Sequence, residues 1–358
     1  MESPDRDGWE RFAEQTYSRV VETDCRTWQS PPPQHRSRFA AIFANMTRLL
    51  LSRQPRQVQN WSVPGAIDFF RQFTVGTKYD VCWIDKGYIA VQAQRAGLQP
   101  IVVDLMEVMS INTGREVATH GRWNTIFGKL ENRKLQRFES QLPRQFWRVV
   151  VCSPKDRLFF SDAPNVYVVP NGIHPLSALP PRQEMSHYLL FVGAMDYSPN
   201  QDAVRWFIDE VLPKILSQYP TAEFHVLGQF PPADITALHD DSTVIIHGRV
   251  PSLDEFYSRA TVVVAPIRQG SGTRLKVLEA LNWGKALVAT STAVEGLALR
   301  PGVDFEQADT TGAMAEVCCR LLGSPDARSR LAKSGRDYVL REFQWSQIGN
   351  VANTVVAP

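Results

Sequence analysis

Cysteine is scarce: five occur in 358 residues, at positions 25, 82, 152, 318 and 319. The count is odd, the spacing matches no metal-ligand pattern and two of the five are adjacent. Neither a disulfide framework nor a zinc site is indicated. Buried, reduced thiols in a reducing compartment fit this usage. Excess charge is missing too. Lys plus Arg (39) against Asp plus Glu (37) leaves +2, which argues against nucleic-acid binding through bulk charge. No apolar run approaches the ~18 residues of a spanning helix. The opening MESPDRDGWERFAEQ lacks the apolar core of a signal peptide. No G-x-G-x-x-G fingerprint occurs, which disfavours a nicotinamide or flavin oxidoreductase.

What is present is ordinary in bulk and informative in order. The hydrophobic share of 44% and charged share of 21% are globular values. The length suits roughly two domains of about 150 residues. Short apolar runs at 79–84, 100–104, 148–152, 166–169, 188–193, 223–228, 244–248, 261–266 and 286–290 read as strands buried on both faces. Helical periodicities alternate with them, most clearly over 201–218, where Val204, Phe207, Ile208, Val211 and Leu212 make one stripe. Residues 275–283, 313–322 and 326–341 are the other clear helices. The pattern predicts parallel sheets covered by helices. PNGIHPLSALPP at 170–181 continues neither element and reads as a break between two halves.

Charge is unevenly spread. No acidic residue lies between Asp24 and Asp68, yet Arg26, Arg36, Arg38, Arg48, Arg53 and Arg56 do, around a helical stripe of Phe39, Ile42, Phe43, Met46, Leu49 and Leu50. This is either a helix that lies on an anionic membrane face or grips an anionic acceptor, or a packed helix with a solvated basic edge. A second basic stretch, Arg122 to Arg148 with Glu131 and Glu139 interleaved, is accounted for by ion pairing along an exposed helix.

The segment APIRQGSGTRLKVLEAL at 265–281 carries the most chemistry. A buried strand ends, Gly270, Ser271 and Gly272 follow, and a helix begins near Thr273. Glycines admit a ligand to the backbone, and a first helical turn offers unpaired N–H groups. Arg274 and Lys276 oppose the helix dipole there, a penalty that a bound diphosphate removes. A helix capped by Ser271 or Thr273 with two solvated cations is the alternative. Glu279, one turn beyond Lys276, is either an acceptor for sugar hydroxyls or an exposed helical carboxylate. A second strand-loop-helix junction, FVGAMDYSPNQDAV, places Gly193 after a strand, Ser198 at a helix N-cap and Pro199 at the first helical position.

Together these pieces resemble the nucleotide-binding half of a GT-B glycosyltransferase of the retaining group 1 type. They occur in the family's order: VPNGI, LLFVGAMDYSPNQDAV, FHVLG, VIIHGRV, VVVAPIRQGSGTRLKVLEALNWGKALVAT, AVEGL and FQWSQI. FVGAMDYSPN is similar to a subgroup found with exopolysaccharide systems. The resemblance implies two Rossmann-like, doubly wound α/β domains facing across a cleft. Residues 1–172 would form the acceptor side, 173–187 the linker, 188–344 the nucleotide-sugar domain, and 345–358 a segment returning to the first. The first half is similar more faintly, from Tyr79 onward, and the family's opening strand has no counterpart before WERFAEQ. A first domain lacking that strand would expose a sheet edge to a protein partner or a second copy.

By this resemblance the donor is a UDP- or GDP-linked sugar, a substrate rather than a cofactor, and no metal is needed. Arg274 and Lys276 would hold the diphosphate with the backbone of Gly270, Ser271, Gly272 and Thr273. Glu279 would accept from the ribose, Gly248, Arg249 and Val250 would line the base, and Gly193 and Asn200 would border the phosphates. Asp104 or Glu107, at a strand end of the first half, would orient or deprotonate the acceptor hydroxyl, unless both simply cap the next helix. Two positions depart from the pattern: Ser271 stands where relatives have a first glutamate, and Ala194 and Asn200 where many have Arg and Lys. The expected activity is sugar transfer with retention to a saccharide or lipid-linked acceptor in surface polysaccharide or glycoconjugate synthesis. The expected place is the cytoplasm, with peripheral contact to the inner membrane face. A non-catalytic partner subunit that keeps the nucleotide-sugar pocket is the alternative.

Overall fold

The computed structural model describes residues 52–61, 65–76, 78–119, 126–176, 179, 184–270 and 275–357. The basic, apolar-striped stretch at 26–50 lies outside them, as do Cys25, Arg122 and residues 271–274. By contact the chain divides into two compact units, Met1–Leu105 with Thr125–Val149, and Met106–Asn124 with Val150–Pro358.

The first unit contains α1 (Arg56–Trp61), α2 (Ala66–Thr74), β1 (Cys82–Asp85), α3 (Gly87–Arg95), β2 (Ile101–Leu105) and α5 (Ile126–Gln145). The expected strand at 79–84 starts later and runs one residue further, to Asp85. β1 and β2 pair in parallel with Cys82 opposite Ile101 and Asp85 opposite Asp104. Gly87 opens α3 because a larger residue would press on Leu142 of α5, 2.9 Å from where its Cβ would stand. Along α5, Glu131 pairs with Lys134 at 3.6 Å, as the charge pattern requires. Glu139 is buried instead of exposed, so ion pairing at the surface does not account for it.

The second unit begins with α4 (Met109–Thr119), then α6 (Pro154–Leu158) and β4 (Val166–Val168); β3 (Arg148–Val151) lies at the division. The smaller sheet has the order β1-β2-β3-β4. Next come β5 (Tyr188–Val192), α7 (Ser198–Trp206), α8 (Leu212–Leu216), β6 (Glu223–Leu227), α9 (Ala233–Thr236), β7 (Val244–Gly248), α10 (Asp254–Arg259) and β8 (Val262–Ala265). They are followed by α11 (Leu275–Asn282), β9 (Leu287–Ala289), β10 (Glu306–Gln307), α12 (Thr311–Gly323), α13 (Pro325–Glu342) and α14 (Trp345–Val356). The larger sheet is parallel, in the order β10-β9-β8-β5-β6-β7. The order in which strands are added therefore reverses between β5 and β8, the switch point at which doubly wound sheets bind ligands.

The central strands read as continuous apolar runs because both of their faces are covered. Leu189, Leu190, Phe191, Phe224, Val226, Val262, Leu287 and Val288 are all inaccessible or nearly so. One expected element differs. The helix over 201–218 is interrupted by a π-helical turn, Phe207–Val211, before α8 resumes with Pro213 in its first turn. Proline has no N–H to donate, so the ladder is rephased just before it, and Phe207 and Val211 both stay buried. Ser198 also lies inside α7 and not at its cap, which is Tyr197.

The proline-rich break is tied down on one side. Ile173 forms a parallel bridge with Gln344, and Trp345 stands so close over Gly172 that an added Cβ would lie 2.6 Å from its ring. Cys152, Cys318 and Cys319 are buried and Cys82 is half-buried, and none of these four forms a disulfide. Among the described residues no helix is long and apolar enough to cross a membrane.

Candidate active site

The carboxyl ends of β5 and β6 approach closely through glycine. A Cβ on Gly228 would stand 1.9 Å from the Gly193 carbonyl oxygen, and Gly193 N–H donates to the Leu227 carbonyl at 2.8 Å. Only a residue without a side chain fits at 228. Directly over Gly193 lie two polar groups. The position its Cβ would occupy is 2.7 Å from Lys276 Nζ and 2.8 Å from Asn200 Nδ2.

Those two side chains are bound to each other. Lys276 Nζ donates to Asn200 Oδ1, and Asn200 Nδ2 donates to the Ala194 carbonyl at 2.6 Å. Asn200, 4% exposed, is thus fixed at both ends. Lys276 Nζ also lies 4.7 Å from the centroid of the Phe191 ring, within cation–π range. A cation in the first turn of α11 is held against a bare strand end by an amide and an aromatic face.

Further along α11, burial pushes the Glu279 carboxyl above the usual carboxylate range, and Lys276 pulls it partly back. The fully buried Tyr257 phenol, raised chiefly by burial, is raised further by Glu279. Its ring stacks on Trp283 at 5.2 Å and 8°. The loop before α11 is anchored by Arg268, whose guanidinium grips Asp202 with bonds of 3.0 and 2.6 Å. Gly270 has φ 118°, a region that a side chain would strain. Ser271, Gly272, Thr273 and Arg274 lie outside the described residues.

On the other flank, Gly248 closes β7 with φ 67°, Arg249 is exposed and Val250 packs against the core. Gly228 N–H donates to the Gly248 carbonyl at 3.0 Å, so the ends of β5, β6 and β7 are one linked edge. Beneath it, His225 Nδ1 lies 2.9 Å from His247 Nε2, and His225 Nε2 lies 2.9 Å from Glu223 Oε2.

In the first unit, Asp104 Oδ2 accepts from Trp83 Nε1 at 2.9 Å. Burial raises its carboxyl, the Trp83 bond lowers it, and neighbouring Asp85 raises it again. Glu107, in the second unit, accepts from Asn112 Nδ2 at 2.5 Å.

Of the residues expected from sequence, the structure brings Gly193, Asn200 and Lys276 into contact and sets Glu279 within electrostatic reach of Lys276. Gly248 joins them through Gly228. Sequence reasoning missed Gly228 and Phe191. Gly228 ends FHVLG as Gly193 ends LLFVG, a parallel that marks it as a second bare strand end. Phe191 sits in an apolar run with nothing to distinguish it.

Residues 186–324 match the family model of glycosyl transferases group 1. The matched segment contains Gly193, Asn200, Gly228, Gly248, Lys276 and Glu279, whereas Asp104 and Glu107 lie outside it. No curated protein matches the chain. Among solved structures, the chain is similar to a variant of S. aureus TarM in complex with UDP, at a TM-score of 0.65 and 14% identity. That match covers 82% of this chain and 59% of TarM, so the chain spans less than two thirds of that relative. A sucrose-phosphate synthase from Thermosynechococcus elongatus matches at 0.65 and 18% identity, over 86% of this chain and 80% of that one. Anabaena Alr3699/HepE in complex with UDP-glucose matches at 0.59 and 15%, over 88% of each. These likenesses are of fold: an α/β architecture with parallel sheets, as in the GT-B glycosyltransferases.

Proposed function

We propose that the protein is a glycosyltransferase that binds a nucleotide-sugar on the carboxyl edge of the larger sheet and transfers its sugar with retention. The observation that carries this reading is the Lys276–Asn200–Gly193 contact at the β5/β8 switch point. An ammonium group fixed over a bare strand end is a site for a diphosphate, and it lies within a group 1 segment. Lys276, the first turn of α11 and Arg274, which directly precedes it in the sequence, would stabilise the leaving diphosphate, which removes the need for a metal. Glu279 would accept from the ribose hydroxyls and Gly248, Arg249 and Val250 would border the base. UDP or UDP-glucose is bound in two of the similar structures, which supports a donor of that class.

In a retaining transfer the acceptor hydroxyl attacks on the face from which the diphosphate leaves. Its proton must go to a base, and Asp104 is the candidate because its raised carboxyl binds a proton more readily than an ordinary one. The acceptor class, a saccharide or lipid-linked saccharide, and a place at the cytoplasmic membrane face belong to this proposal.

The test is sugar transfer and donor hydrolysis by the purified chain over a panel of UDP- and GDP-sugars, with product configuration read by NMR. Transfer that survives Lys276→Ala combined with Arg274→Ala would sink the assignment of the phosphate site. Nucleotide binding with no turnover of any donor would favour the partner-subunit reading instead.

A further inference from the structure

β6 is followed by Gly228-Gln229-Phe230-Pro231-Pro232, and Phe230 is an anomaly on two independent counts. Its backbone is left-handed, with φ 58°. Among the described residues four other non-glycines share a positive φ, namely Lys86, Ser161, His187 and Asp241, and none is an apolar residue. A bulky side chain is disfavoured in that region, and a residue before proline is pushed toward extended backbone instead. Yet the strain does not hide the ring. Phe230 is 64% exposed, the most exposed aromatic side chain among the described ones.

A strained backbone and a solvated benzyl group both lower stability, and neither is offset by packing. Such a combination persists where the side chain has a use outside the folded core. Its position says which use. β6 lies between β5 and β7 in the sheet. The residues just before Phe230 are bonded to both neighbours, Gly228 N–H to the Gly248 carbonyl at 3.0 Å and Met195 N–H to the Gln229 carbonyl at 2.9 Å. Phe230 therefore emerges on the ligand-binding edge between the bare strand end of Gly193 and the turn of Gly248–Val250. Pro232, with φ −68°, then starts α9 and fixes the exit of the loop.

We infer that Phe230 is a stacking platform for the nucleobase of the donor, a specificity and affinity residue for the nucleoside end of the ligand. This rests on the donor-site reading above and extends it. A flat apolar face recognises any base by stacking and leaves discrimination between bases to the polar backbone at 248–250. It has no interaction to offer a diphosphate, so the two ends of the ligand are served by separable parts of one edge.

The separation can be measured. Calorimetric titrations with UDP, GDP and inorganic pyrophosphate would be run on the full chain and on Phe230→Asn and Phe230→Trp. Asparagine tolerates left-handed backbone, so Phe230→Asn is expected to melt at the wild-type temperature or above it. Its affinity for the preferred nucleoside diphosphate is expected to fall about 5- to 100-fold, the range of base–aromatic stacking. Pyrophosphate affinity stays unchanged, and Phe230→Trp retains nucleotide binding. Lys276→Ala should show the opposite pattern, losing pyrophosphate. Equal nucleotide affinity in Phe230→Asn and wild type would overturn the inference while leaving the donor site standing. So would a loss shared equally by UDP and pyrophosphate, which would make the loop part of the phosphate cradle. Wild-type protein that binds no nucleoside diphosphate would overturn both readings.

Discussion

At the carboxyl ends of its strands the smaller sheet presents Asp85, Lys86 and Asp104, whereas the larger one presents Gly193, Gly228 and Gly248. Both edges come from parallel strands, but one offers charged side chains and the other a bare backbone. A ligand at the glycine edge can reach main-chain N–H groups and a single fixed ammonium, which suits phosphate. A ligand at the acid edge meets carboxylates that burial makes reluctant to ionise, which suits a hydroxyl that must lose a proton. The two edges should therefore fail in different ways when altered.

The largest effect is expected at the glycine edge. Gly228→Ala places a methyl group 1.9 Å from the Gly193 carbonyl oxygen, a backbone atom that cannot rotate away. The strand ends must part, at a cost of about 3 kcal/mol or more, toward the upper end for overpacking. Urea denaturation measures it, and nucleotide binding should be lost even where the fold survives. Gly349→Ala on α14 is the control, since nothing lies within 4 Å of its Cβ position. It should be neutral or stabilising by up to about 1 kcal/mol through helix propensity. Equal behaviour of the two variants would refute the close-approach argument.

Next come the groups over Gly193. Lys276→Met keeps an unbranched apolar stem but removes the charge, and nucleoside diphosphate affinity is expected to fall roughly 10- to 100-fold, as for a charge-assisted bond. Asn200→Leu leaves the charge and removes its tether, so a smaller loss, about 3- to 10-fold, should follow. A larger effect from Asn200→Leu than from Lys276→Met would show that the amide and not the ammonium meets the ligand.

How much of this was legible in the sequence depends on where each contact comes from. β5, β6, β8 and β9 were readable because burial on both faces demands apolar runs. β10, Glu306–Gln307, was not, since two polar residues joined to β9 by backbone alone leave no pattern. Lys276 stood out because a cation in a first helical turn works against the dipole. Asn200 was visible only as a departure from the family pattern, and its hold on Lys276 is a contact across 76 positions. Phe191 and Gly228 matter through strand neighbours, which sequence does not reveal. Asp104 was read from its place at a strand end, but its bond from Trp83 crosses the β1–β2 pair.

That bond gives the acid edge its own test. Because burial raises Asp104, the acid limb of kcat/KM for transfer is expected above the pH of an ordinary carboxylate. The Trp83 N–H favours the ionised form, so Trp83→Phe should move the limb to still higher pH while donor affinity stays unchanged. A limb that does not move removes Asp104 from the reaction.

The smallest effect concerns stability beneath the glycine edge. Burial holds both His225 and His247 below the usual imidazole value of 6.5, more than Glu223 can offset at His225. The bonds close with both rings neutral: His225 Nε2–H donates to Glu223, and His247 Nε2–H donates to His225 Nδ1. A proton on His225 Nδ1 removes the acceptor of the second bond, which then re-forms only if His247 moves its own proton to Nδ1. The unfolded chain binds protons at these sites more readily than the native one, so stability is whole above about pH 6.5 and declines as pH falls through the lower native values. The midpoint in urea should therefore be lower at pH 5 than at pH 7.5. His247→Gln keeps an N–H for His225 and removes one titrating ring, so its midpoint should change less between the two. A pH dependence identical to wild type would mean that the pair does not titrate in this window.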